Sequence, residues 1–362
     1  MSPPGVVADP ARVTAEWLSE ALRQGGALPP DVAVTGFEAE RVGTGQVGQN
    51  VRFRLALSRP AEGAPASVVG KFPSSDPVSR ATGVAQGNYM KEVRFYQEVA
   101  PTVDIRTPRC WHAAWEPEHS DFVLLMEDLA PARQGDQIAG CSVDEAALAL
   151  EELAKLHAPR WNDPSLASIE WLNRRSPEGA RIVQALYTSV WEGFVRRYGD
   201  RLAPEALAAA ERLGPRLERW LLRAEGPRAV THGDYRLDNM LFGTPEGGPP
   251  LAVVDWQTPG HGPPLADVSY FLGAGLPVEL RRRHEDALLR EYHGHLRAGG
   301  VSGYDLERCR EDYRRFAWSG VVMAVCASMI VGQSERGDAM FLAMAERHCA
   351  HALDVGAESF LD

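Results

Sequence analysis

His232-Gly-Asp-Tyr-Arg-Leu-Asp-Asn239, followed by Leu251-Ala-Val-Val-Asp255, decides how this chain is read. It holds an HxD motif, an asparagine five residues after Asp234, and an aspartate closing a short apolar run. A carboxylate at Asp234 can accept the proton of an attacking hydroxyl. Asn239 and Asp255 offer hard oxygen ligands, which suit Mg²⁺ held against a triphosphate. Taken singly, each acid is an ordinary turn carboxylate. Together at these spacings they make a phosphoryl-transfer set. His232 reads as structural, packing under the loop and fixing its backbone. Asp267 lies twelve residues after Asp255 at the start of an apolar stretch. Two readings of it stay open: it bonds backbone amides of the loop, or it is a plain helix N-cap. Asp238 either supports its neighbour or is solvated.

The N-terminal half supplies what a triphosphate needs. Gly43, Gly45 and Gly48 spell GxGxxG. A dinucleotide fold requires a helix directly after that motif. Here the alternating run Val51–Leu57 follows, so the glycines sit at the tip of a hairpin. That tip is either a lid whose amides lie over phosphates or an ordinary glycine-rich turn. Lys71 ends an apolar strand. A buried ammonium must be paired, and Glu92 on the helix beginning near Asn88 is the candidate partner. The alternative is a surface lysine at a strand end. Of 38 basic residues only Lys71, Lys91 and Lys155 are lysines, which favours the functional reading. Backbone groups at Glu127 and Leu129, closing the apolar strand Phe122–Met126, are placed to meet an adenine edge.

Periodicity predicts a helix at Thr14–Leu22 and strands at 32–42, 51–57, 67–72 and 122–126. It predicts a loop over 74–86 and a helix over 88–99. Beyond residue 128 the pattern turns helical. Ser142-Val-Asp-Glu145 is a capping box. Helices are expected at 179–198, 204–223, 278–298, 305–332 and 339–354, with strands only at 239–242 and 251–255. The expected division is a nucleotide-binding lobe over 1–128 and a helical lobe over 129–362 carrying the catalytic loop and acceptor site.

At 362 residues the chain is too long for one core and fits two lobes. A net charge of −11 argues against a nucleic-acid partner, which needs a basic face. Five scattered cysteines, an odd number without a CxxC pair, suggest a reducing cytoplasm. The N-terminus lacks a signal-peptide pattern, and the apolar run 321–331 is too short to span a bilayer. No membrane insertion is expected. Oligomeric state is not legible.

On these residues the chain resembles the aminoglycoside phosphotransferase and choline-kinase-like superfamily, the ecdysteroid-kinase-like branch included. HGDxxxxN at 232–239 and Asp255-Trp-Gln257 are the specific elements. The resemblance runs from about Thr14 to Leu361. It implies an α+β, bilobal protein-kinase-like fold with a small β-rich N-lobe and a larger, mainly helical C-lobe. It implies ATP and Mg²⁺ as cofactors and a small-molecule hydroxyl as acceptor, such as an aminoglycoside-like antibiotic or a hydroxylated metabolite. It implies Lys71 on the α/β phosphates and paired with Glu92, Asp234 as base, Asn239 and Asp255 as metal ligands, and Asp267 as anchor of the loop. No required position is missing, which argues against an inert nucleotide-binding regulator. Gly233 and Trp256-Gln257 stand where protein kinases carry Arg and Phe-Gly, so a protein substrate is disfavoured.

Overall fold

The computed structural model describes residues 4–43, 47–223 and 225–362, which fall into two compact units. The first takes the chain up to Thr102, Arg106–Ala132 and Pro245–Thr258; the second takes Val103–Ile105, Arg133–Thr244 and Pro259–Asp362.

The first unit is built on a five-stranded antiparallel sheet. Helix α1 (Ala15–Gln24) precedes β1 (Val34–Val42), β2 (Gly48–Leu57) and β3 (Ser67–Pro73). Helices α2 (Pro77–Ala85) and α3 (Asn88–Arg94) follow, then β4 (Cys110–Glu116) and β5 (Asp121–Glu127). The strand order is β1-β2-β3-β5-β4. Alternation puts Phe53, Val68, Phe72, Val123 and Leu125 into a core shared with Leu18 and Leu22 of α1. The other sheet face carries Asn50, directly opposite Lys71.

The second unit is mainly helical. It contains β6 (Arg133–Gln134), α4 (Val143–His157), α5 (Pro177–Tyr198), α6 (Pro204–Leu213), α7 (Leu217–Leu222), β7 (Ala229–Thr231) and β8 (Met240–Thr244). Strand β9 (Gly247–Val253) falls to the first unit. The second resumes with β10 (Gly260–Gly262), α8 (Pro264–Gly275), α9 (Val278–Ala298), α10 (Leu306–Arg315), α11 (Trp318–Ile330) and α12 (Glu335–Asp354). The capping box at Ser142 and Glu145 is formed, and Ala149, Leu153 and Leu156 of α4 are fully buried.

Several expectations are corrected, among them the single helix over 204–223, which the turn at Gly214–Arg216 divides into α6 and α7. The 74–86 segment is not all loop: Asp76 caps α2 by accepting from the Ser79 amide at 2.8 Å, with Pro77 at the first helical position. Serine, glycine and proline content hid that start signal. β4 went unread because most of its residues are only partly buried on either face, which blurs the alternation. β7 and β10 pair over three residues, too few for periodicity to register. The expected helix over 305–332 breaks at Phe316–Ala317, where the Trp220 indole donates to the Arg315 carbonyl at 2.9 Å.

His348 and His351 are fully buried on α12, and among the described residues their ring nitrogens find no hydrogen-bond partner. Burial, with neighbouring Arg347 and Arg281, pushes the His348 pKa down to about 3. In an unfolded chain an imidazole takes its proton near pH 6.5. Between those values the unfolded chain binds more protons, so stability falls as pH drops through that window. From pH 7 to pH 5, His348 alone is expected to account for about 2 kcal/mol of that loss. Urea unfolding at both pH values checks this against His348→Phe, whose pH dependence should be shallower; equal slopes would rule out a neutral buried imidazole.

Candidate active site

Two clusters of functional side chains emerge, one in each unit. In the first, Lys71 stands on β3, only 7% exposed. Its ammonium donates to Glu92 Oε1 at 2.7 Å and to Asp255 Oδ1 at 2.8 Å. Glu92 lies on α3, 1% exposed, and its Oε2 accepts from Gln257 Nε2 at 3.3 Å. Burial by itself would lower the lysine pKa; Asp255 and Glu92 outweigh it and hold the ammonium protonated above its ordinary range. Burial pushes the Glu92 carboxyl up, with Asp255 adding to it and Lys71 opposing. Two carboxylates facing one ammonium leave an excess of negative charge. The Asp255 side chain, 36% exposed, is where an incoming divalent cation could reach it.

Asp255 has a φ of +66°, in the left-handed region that a side chain disfavours. The neighbouring Trp256 is fully buried and stacks on Phe95 at 3.9 Å, its indole N–H donating to the Val253 carbonyl. That packing holds the segment in place. Gly48 opens β2 beside Lys71, where an added Cβ would come within 3.1 Å of the Phe72 carbonyl. Gly43 directly follows the last residue of β1 and has a φ of +74°. Gly45 lies outside the described residues.

At Glu127 the backbone N–H donates to the Arg109 carbonyl at 2.8 Å, and the carboxylate accepts from Arg106 Nη2 at 2.8 and 2.9 Å. Leu129 is buried, its carbonyl accepting from the Ala132 amide. Asp128, passed over in sequence, ties this strand end to β2 and β3 by accepting from Arg52 Nε and Ser67 Oγ, both at 2.6 Å.

In the second unit β7 leads directly into His232. Asp267 occupies the first turn of α8, whose N-cap is Pro263, so it is not a plain cap. Its carboxylate accepts from the His232 amide at 2.7 Å and the Gly233 amide at 3.0 Å. His232 is fully buried, and its Nδ1 accepts from the Asp234 amide at 3.2 Å. The loop is thereby fixed just before Asp234.

The Asp234 carboxylate is held by three donors. Tyr270 Oη donates to Oδ1 at 3.0 Å, Arg236 Nε lies 3.1 Å from both oxygens, and Asn239 Nδ2 donates to Oδ2 at 3.1 Å. Asn239 Nδ2 also donates to the Asp234 carbonyl at 2.9 Å, so both of these bonds use the nitrogen end of the amide. Asp234 keeps 23% of its side chain exposed, so a substrate can reach it. Arg236 also donates to Asp238, itself bonded by Arg336. Burial works against the Arg236 charge, but Asp234 and Asp238 hold the guanidinium firmly protonated.

Arg236 and Tyr270 are the contacts that sequence reasoning missed. Arg236 sits inside the motif, two residues after Asp234, and a basic residue there was a readable signal. Tyr270 follows Asp267 by three, one helical turn, a signal only once α8 is known to carry both.

The sequence matches the family described as "Phosphotransferase enzyme family" over residues 71–311, a span that contains both clusters. A putative aminoglycoside phosphotransferase from Ralstonia eutropha JMP134 shares the fold with a TM-score of 0.52 at 16% identity, covering 95% of this chain and 99% of that one. A choline kinase from Cryptosporidium parvum Iowa II gives 0.52 at 9% identity, covering 89% of each chain. A Plasmodium vivax ethanolamine kinase gives 0.50 at 10% identity, covering 90% of this chain and 85% of that one. The likeness is one of fold. No curated protein matches the sequence.

Proposed function

The chain belongs to the phosphotransferase enzyme family, and from that premise we propose a small-molecule kinase with a hydroxyl acceptor, whose reaction is ATP- and Mg²⁺-dependent with Asp234 as its base. The observation that carries the proposal is the Asp234 carboxylate, exposed enough to meet a substrate and oriented by Tyr270, Arg236 and Asn239. In this role it orients the acceptor hydroxyl and takes its proton late in a loose transition state. Lys71, kept protonated by its two carboxylates, meets the α/β phosphates. Backbone amides at Gly43 and Gly48, which flank the β1–β2 connection, are proposed to lie over them. Asn239 and Asp255 are the proposed metal ligands; their hard oxygens and the excess carboxylate charge beside Lys71 support that assignment. Mg²⁺, when bound, neutralises charge on the phosphate oxygens. Glu92 acts through Lys71, and Asp267 and His232 act through the loop backbone. Backbone groups of Glu127 and Leu129 are the proposed adenine contacts; with the Glu127 N–H engaged by Arg109, its carbonyl is the group proposed there.

The acceptor is proposed as an aminoglycoside-like antibiotic or a hydroxylated metabolite. A cytoplasmic setting is proposed on the five free cysteines, four of them buried. Among the described residues no helix is long and apolar enough to cross a membrane.

ADP release from Mg·ATP across aminoglycosides, macrolides, choline-like alcohols, sterols and hydroxyacyl thioesters tests the reading. At least one class should stimulate release at least tenfold over acceptor-free enzyme, and EDTA should abolish it. ATP binding without acceptor-dependent release in any class would favour a nucleotide-binding regulator instead.

A further inference from the structure

The three donors on Asp234 differ in origin. Arg236 and Asn239 belong to the same loop as the carboxylate. Tyr270 comes from α8, which is buried almost along its whole length. A donor on a separate buried helix fixes the side chain independently of the loop's own conformation.

The stripe of α8 that faces the loop has a regular construction. Asp267, Tyr270 and Gly273 follow one another at intervals of three, on one helix face. Asp267 holds the loop backbone through the His232 and Gly233 amides. Tyr270 holds the loop's carboxylate. Gly273 makes room for what seats the tyrosine. The Tyr270 ring lies on the His348 imidazole, centroids 5.3 Å apart and planes within 14°. The imidazole in turn sits against two glycines: a Cβ on Gly273 would come within 2.6 Å of its Nδ1, and one on Gly320 of α11 within 2.0 Å. Neither glycine can gain a methyl group without displacing the ring.

His348 carries two buried nitrogens that lack protein partners among the described residues, a free-energy penalty that an aliphatic side chain would avoid. What the site obtains is a flat ring that locks the tyrosine's orientation. Burial, with Asp234 nearby, raises the Tyr270 pKa well above its ordinary value, so the hydroxyl keeps the proton it donates.

We infer that Tyr270, seated on His348, is a positioning residue for Asp234, holding one carboxylate oxygen so that the other faces the acceptor hydroxyl. The inference rests on Asp234 being the base. Arg236 approaches both oxygens equally and so does not distinguish them; Asn239 bonds Oδ2 from within the loop, and Tyr270 is the donor that reaches Oδ1 from outside it.

The test compares full-length wild type, Tyr270→Phe, His348→Ala and Asp234→Ala. Each is given Mg·ATP with water as acceptor, and kcat and KM are measured by ADP release. A crystal structure of Tyr270→Phe accompanies them. Tyr270→Phe keeps the stacked ring and loses only the hydroxyl, so its melting temperature should match wild type. Its kcat should fall on the order of 10- to 100-fold with the KM for Mg·ATP within about twofold, because misorientation costs turnover and not nucleotide binding. His348→Ala should lower kcat in the same direction while also lowering stability. In the Tyr270→Phe crystal structure the Asp234 carboxylate should be rotated or disordered. A carboxylate in its wild-type orientation there overturns the inference, whatever the turnover. So does a Tyr270→Phe kcat within about twofold of wild type while Asp234→Ala is inactive. Full activity in Asp234→Ala would instead overturn the base assignment itself.

Discussion

Asp234→Ala is expected to lower kcat by about 10³-fold, with nucleotide affinity nearly unchanged. General-base catalysis contributes about 10²- to 10⁴-fold, and orientation of the hydroxyl is lost along with the base. Nucleotide affinity should persist because the lysine proposed to meet the phosphates, Lys71, is held by Glu92 and Asp255, which the substitution leaves in place. The alanine variant also strips Arg236 of one of its two carboxylates and leaves the Tyr270 hydroxyl without its acceptor. A stability loss of about 1–3 kcal/mol follows from those unsatisfied groups. Asp234→Asn separates the two effects: it keeps an oxygen for Tyr270 and the shape of the side chain but removes the basic charge. Both variants should be inactive, and only the alanine should melt appreciably lower. The comparison requires steady-state ADP release, equilibrium nucleotide binding and thermal unfolding on the same preparations. An asparagine variant with more than a tenth of wild-type turnover would remove Asp234 from the base role.

The second large effect is expected from Lys71→Met, which keeps the length of the side chain and deletes its charge. Glu92 and Asp255 then face each other without a counter-ion, and Glu92 is almost fully buried. Breaking one side of a buried ionic cluster costs about 3–5 kcal/mol. Part is recovered by protonation, because burial already raises the Glu92 carboxyl and the loss of Lys71 raises it further. A carboxyl raised on folding contributes its stability at low pH and loses it as pH rises through its folded pKa. The variant should therefore lie closest to wild type in stability near pH 5 and furthest from it near pH 8. Turnover at saturating acceptor should fall on the order of 10²- to 10³-fold, the loss typical of removing one preorganised charge from developing phosphoryl charge. Urea unfolding across that pH range, with kcat and KM for Mg·ATP, makes the check. Equal stability of the two proteins at pH 8 would mean that Lys71 does not neutralise the pair.

Arg236 shows where sequence reasoning stopped short. It lies within the most informative eight residues of the chain, yet spacing ranked the acids and amides and passed over the cation bonded to them. The helical C-terminal elements were readable because 3.6-residue periodicity and capping signals are local; the expected 278–298 helix and α9 coincide. Helix α2 was hidden by composition, and the break at Phe316 by a partner from another helix, since the Trp220 indole lies 95 residues from the carbonyl it caps.

What the sequence by itself determined is the chemical inventory and its local setting. Asp234, Asn239, Asp255, Lys71 and Glu92 were singled out because phosphoryl transfer demands those functional groups and because short spacings place them on loops, a strand end and a helix. What only the tertiary structure decided is which groups touch. Lys71 bonds Asp255 across 184 positions, the Leu237 amide bonds Gln137 across 100, and Tyr270 reaches Asp234 across 36. Hydrogen bonds and ion pairs depend on ångström separations in space, and a linear pattern carries no such metric between segments that far apart.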